Sequence, residues 1–89
     1  VMKIKDGFIL RKIADTYMVI AVGDAAKDFG GMISLNETGA FLWEKLEGGC
    51  DNEKTLVKAL TDEYDVDEVT ALRDVKAFMK KISDAGFAE

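Results

Sequence analysis

Two spacings of apolar residues share this chain, and the change from one to the other falls close to Asn36. Before it, apolar side chains recur at every second position, the period of a half-buried strand. The run Phe8-Ile-Leu-Arg-Lys-Ile13 predicts a first strand with Phe8, Leu10 and, at its end, Ile13 turned to a core. Tyr17 to Val22 is dense in the β-branched and aromatic residues that suit a pleated surface, and predicts a second strand. The short Ala14-Asp15-Thr16 between them, with its turn-favouring Asp, makes the pair a hairpin. Lys3 to Asp6 reads as a polar lead-in, and residues 23–31 have the composition of a loop that Phe29 would pin to the core. Met32 to Leu35 follows as a third strand, with Ile33 and Leu35 alternating onto one face.

After Asn36 the period becomes helical. Gly39, Leu42, Trp43 and Leu46 fall near one face of a helix that Asn36 caps and Gly48-Gly49 stops. Glycine inside a helix costs about 1 kcal/mol relative to Ala, so Gly39 predicts close packing of the helix backbone against the sheet. Asp51 or Asn52 caps a second helix with Leu56, Val57, Leu60 and Tyr64 inward. After Asp65-Val66, Asp67 caps a third, running to about Ala85, with Val69, Leu72, Val75, Phe78, Met79 and Ile82 as its apolar stripe. Gly86 closes it and Phe87 packs back on the core. The fold class expected is α+β: a small winged helix-turn-helix-like unit, with a three-stranded antiparallel sheet followed by three helices.

Composition narrows what such a unit does. At 89 residues the chain is expected to form one domain over 1–89, with room for one small core and none for a deep catalytic cleft. Hydrophobic residues at 48% exclude disorder, and no apolar run approaches the length of a membrane span. No signal sequence opens the chain, and Val1 before Met2 reads as a cloning remnant, so a cytoplasmic location with no membrane partner is expected. Twelve basic against 17 acidic residues give a net charge of −5, which disfavours nucleic acid as a partner.

Candidate chemistry is sparse. The chain has no His, which removes the commonest general base and zinc ligand together, and its one cysteine, Cys50, sits beside Asp51, whose charge raises a thiol pKa. No catalytic residue is assigned. Asp62, Glu63, Asp65, Asp67 and Glu68 crowd one corner without the ligand spacing of a calcium loop, and read as a solvated corner; no metal is implied. Gly30-Gly31 and Gly48-Gly49 lack phosphate-loop spacing and read as turns. Trp43, Phe41 and Phe78 could line a pocket, but in so short a chain aromatics at helical spacing form core, so no cofactor is expected. Arg73, Lys76 and Lys80 make a basic strip along the third helix, flanked by Asp74 and Asp84.

The element list is also that of a winged-helix regulator of DNA, with the second and third helices as the reading unit. The charges oppose this alternative, because the first turn of the recognition helix carries Asp67 and Glu68, with Asp65 just before it. A scaffold that dimerises through a strand edge is a further possibility.

Three stretches taken together resemble the PqqD-like family: Met32-Ile-Ser-Leu-Asn-Glu-Thr-Gly-Ala-Phe-Leu-Trp-Glu44, Thr55-Leu-Val-Lys-Ala-Leu-Thr-Asp-Glu-Tyr64, and Asp74-Val-Lys-Ala-Phe-Met79 with Gly86-Phe87. The resemblance implies a peptide chaperone or adaptor that does no chemistry itself. It would bind the leader segment of a ribosomally made precursor peptide and deliver it to a modifying enzyme, such as a radical SAM maturase. In that family the leader adds as a strand beside the third strand and lies against the third helix. Carried onto this sequence, Met32, Ile33, Ser34 and Leu35 would hold the peptide backbone, and Val69, Arg73, Lys76 and Lys80 would contact its side chains. An open strand edge is suited to this mode on physical grounds, because its N–H and C=O groups stand in register for another chain.

Overall fold

The computed structural model describes residues 3–28, 32–49 and 52–88. Phe29, Gly30, Gly31, Cys50 and Asp51 therefore lie outside the described residues. Strands β1 (Phe8–Ile13), β2 (Thr16–Ala21) and β3 (Met32–Leu35) form an antiparallel sheet in the order β1-β2-β3, which leaves β3 at an edge. Helices α1 (Ala25–Asp28), α2 (Glu37–Glu47), α3 (Glu53–Glu63) and α4 (Glu68–Asp84) complete the chain. The α+β architecture and the three helices after the sheet match the pattern read from the sequence. The one-turn α1 does not: residues 23–31 were expected to be loop. Four residues are too few for a helical period to show, and the turn is held by Ala26 and Lys27 donating to the carbonyls of Gly23 and Asp24.

The β1–β2 connection is a two-residue turn, because Ile13 pairs with Thr16. Ala14 takes φ 56°, a left-handed conformation that glycine usually fills in such hairpins. Each long helix begins with the same device. The side chains of Asn36, Asn52 and Asp67 accept from the N–H of Gly39, Thr55 and Thr70, at 2.7, 2.8 and 2.7 Å, and a Glu follows each cap in the first turn. Gly39 is the close approach its sequence position implied. A Cβ there would stand 3.0 Å from the Asn36 cap oxygen and 3.3 Å from the Leu35 Cβ.

Helix α2 sits at the centre of the core. Leu42 and Trp43 are fully buried among Val19 of the sheet, Leu56 and Leu60 of α3, and Val75 and Ile82 of α4. The indole Nε1 of Trp43 has no hydrogen-bond partner among the described residues. The first and last described segments also meet. Phe8 and Phe87 stack with ring centres 4.3 Å apart, Lys5 donates to the Phe87 carbonyl, and Ile4 bridges to Ala88. Lys3 to Asp6 is therefore partly tied down, where the sequence suggested only a polar lead-in.

Two core expectations are corrected. Ile13 is 54% exposed because it closes the hairpin beyond the reach of the helices. On α4 the buried stripe is Ala71, Val75, Phe78 and Ile82; Val69 is 77% exposed, and Leu72 also reaches solvent. The stripe begins at a small residue, Ala71, and the larger Val69 lies outside it.

Two outcomes follow. Replacing Gly39 with Ala is expected to destabilise the protein by about 1 kcal/mol in urea titrations, despite Ala's better helix propensity, because the new Cβ displaces the cap oxygen. Asp67 accepts from Thr70, which holds its carboxyl below the usual carboxylate range. The stability it contributes is thus full above the unfolded pKa of about 3.9 and lost as pH falls through the lower folded value. Urea midpoints of the parent should therefore drop more steeply with acid below about pH 5 than those of Asp67→Asn, which keeps the cap oxygen and does not titrate.

Candidate functional site

The open edge of β3 is defined by the phase of the hydrogen bonds across the sheet. Val22 donates to the Gly7 carbonyl at 2.7 Å. Bonded and non-bonded pairs alternate in an antiparallel ladder, so the bonded pairs of β1 and β2 fall at Ile9–Ile20, Arg11–Met18 and Ile13–Thr16. Tyr17 and Val19 then turn their backbone groups the other way, to their partners Leu35 and Ile33 on β3. The N–H and C=O groups of Met32 and Ser34 consequently point away from the sheet. β3 thus offers two residues' worth of backbone to a further strand, while Ile33 and Leu35 are already engaged.

The side chains divide in the complementary way. Leu35 is buried and Ile33 half-buried against the core, whereas Met32 is 54% exposed and Ser34 faces solvent. Beside the strand lies a cleft of about 430 Å³. Ser34, Leu35 and Asn36 form one wall and Asp74, Ala77, Phe78 and Lys81 of α4 the other, with Leu42 between and Asp15 and Thr16 at the hairpin end. Lys81 spans it, its ammonium donating to the Ser34 carbonyl at 2.5 Å.

The residues expected on the α4 side fall elsewhere. Val69 and Arg73 are exposed and line no part of this cleft. Lys76 turns toward α3 and pairs with Glu53 at 3.9 Å. Lys80 pairs with Asp84 at 2.7 Å, and that carboxylate holds its ammonium above the usual lysine range. Asp74, Ala77 and Lys81, which do line the cleft, each follow one position after Arg73, Lys76 and Lys80, a rotation of about 100° around the helix. Taking Ala71 rather than Val69 as the start of the buried stripe gives the correct phase.

Other surfaces carry less. A larger cleft of about 840 Å³ between α3 and α4, walled by Val57, Val66 and Leu72 among polar residues, includes nothing from the sheet. Among the described residues no group of three or more Cys, Asp or Glu is placed to hold a metal ion, and no helix is long and apolar enough to cross a membrane. The first turn of α4, where a winged helix would meet DNA, carries Glu68 after the capping Asp67.

Two solved structures share the fold. One, described as TbiB1 in complex with the TbiA(beta) leader peptide, is 25% identical with a TM-score of 0.75, over 98% of this chain and 94% of that one. The other, described as lasso peptide synthetase B1 complexed with the leader peptide, is 19% identical with a TM-score of 0.74, over 99% of this chain and 96% of that one. No curated protein matches. The family profile described as Coenzyme PQQ synthesis protein D (PqqD) matches residues 9–88, and the chain therefore belongs to the PqqD family.

Proposed function

We propose that this protein binds the leader segment of a ribosomally made precursor peptide by adding it as a strand to the open edge of β3, and presents it to a modifying enzyme. The observation that carries the reading is the pair of outward-facing backbone residues, Met32 and Ser34, set beside a cleft walled by α4. Backbone pairing supplies affinity in such a mode, and pockets for alternate side chains supply selectivity. Ile33 and Leu35 hold the strand in place by their bonds to β2 and their packing on the core. Both solved relatives are described as complexes with a leader peptide, which supports this partner class.

In this reading the protein is an adaptor and not an enzyme. The chemistry resides in the partner, a radical SAM maturase, and the setting is the cytoplasm. Val69, Arg73, Lys76 and Lys80 lie outside the cleft that receives the leader, on another side of α4, so Arg73, Lys76 and Lys80 act on it only through longer-range charge. Their charges favour association and orientation of an acidic segment more than they add to affinity. A DNA-reading role has no matching basic surface at the start of α4.

Titration of the ¹⁵N-labelled protein with the leader of the precursor encoded beside its gene is the direct check. The amides of Met32 and Ser34 should shift, and their hydrogen exchange should slow at least about tenfold, while those of Ile33 and Leu35, already bonded to β2, change little. Leader binding that leaves the Ser34 amide unaltered would sink the strand-addition reading.

A further inference from the structure

Lys81 occupies the one carbonyl that an incoming strand at Ser34 has to claim. Resting on the strand-addition reading, we infer that Lys81 guards the open edge of β3 in the peptide-free protein and, once displaced, selects peptides that carry an acidic residue beside the position paired with Ser34.

An unpaired strand edge invites association with any extended chain, and a lysine laid across it is a common protection. Strand addition gives the Ser34 carbonyl to a peptide N–H, so the ammonium competes with that donor for the oxygen and gains from a further acceptor. Among the described residues no carboxylate bonds to Lys81. Asp15 and Asp74 line the same cleft, but a lysine that could reach either carboxylate would take it in preference to a neutral carbonyl. Asp74 is two helical turns from Lys81, and Asp84 on the next turn already holds Lys80. A guest that carries a carboxylate into the cleft supplies that acceptor directly.

The geometry of the ladder says where that anion sits. The peptide residue directly opposite Ser34 exchanges both backbone bonds with it and, like Ser34, turns its side chain to the outer face of the sheet. The two residues flanking it turn the other way, into the cleft between β3 and α4, where Leu42, Ala77 and Phe78 supply apolar wall and Lys81 the cation. An Asp or Glu at one of these two positions, two residues from an apolar side chain at the other, satisfies the ammonium that strand addition frees. A neutral peptide would leave the ammonium to water alone, and a basic one would be repelled.

The test uses short random peptides displayed as a library and selected in parallel on the parent protein, Lys81→Met and Lys81→Glu. Lys81 is exposed and, among the described residues, its polar bond is to the Ser34 carbonyl alone, so both variants keep the fold. The parent should enrich Asp or Glu at one cleft-facing position, Lys81→Met should lose the preference, and Lys81→Glu should replace it with Lys or Arg. A parent-selected acidic peptide should bind Lys81→Met about fivefold more weakly, as an exposed ion pair allows. Peptides that shift the Ser34 amide with the same residue preference on all three proteins would overturn the role of Lys81 and leave strand addition standing. If no selected peptide shifts that amide, both fall together.

Discussion

Five residues, Leu35 to Gly39, make the corner on which the rest of the structure depends. Leu35 ends β3, pairs with Tyr17 and is buried in the core. Asn36 then leaves the strand and caps α2 through Gly39, whose missing side chain lets the first turn of the helix lie on Leu35 itself. A short strand at the edge of a sheet is ordinarily among the first elements to fray, because only one of its sides is bonded. Here its end is fastened to the helix that carries Leu42 and Trp43 through the centre of the core. The open side can therefore stay unpaired without the strand losing its register.

That fastening separates two jobs along four residues. Alternation on the pleat assigns Ile33 and Leu35 to the interior, and alternation of the ladder assigns the backbone of Met32 and Ser34 to the exterior. Stability is carried by side chains and recognition by main chain, so the sequence of β3 is free to satisfy the core while the edge remains generic. Selectivity has to come from elsewhere, and α4 is the element placed to provide it. Its buried stripe anchors it, and the neighbouring face, one residue further round, walls the cleft.

What could be read from the sequence follows from this division. The limits of β3, the caps at Asn36 and Asp67 and the tight approach at Gly39 were all legible, because each depends on residue type at fixed local spacing. The rotational phase of α4 was not. It rests on Ala71, a small residue whose burial depends on the distance between packed elements and leaves little mark in a hydrophobic pattern. The same limit hid α1, too short to show a period, and the return of Ala88 to Ile4, a pairing across nearly the whole chain. The open edge could be anticipated, but which two residues face outward required the bond from Val22 to Gly7 and the register of the strands, which together set the ladder's phase.

Trp43 carries a consequence of a different kind. It is the chain's one tryptophan, fully buried, with an indole N–H that bonds to no described residue. Its ring is buried in the core and does not line the cleft beside β3. Intrinsic fluorescence from this protein is accordingly a gauge of whether the fold is intact, and stays nearly silent while a guest strand docks a few residues away. A fluorimeter would register the loss of the scaffold long before it registered the arrival of a peptide.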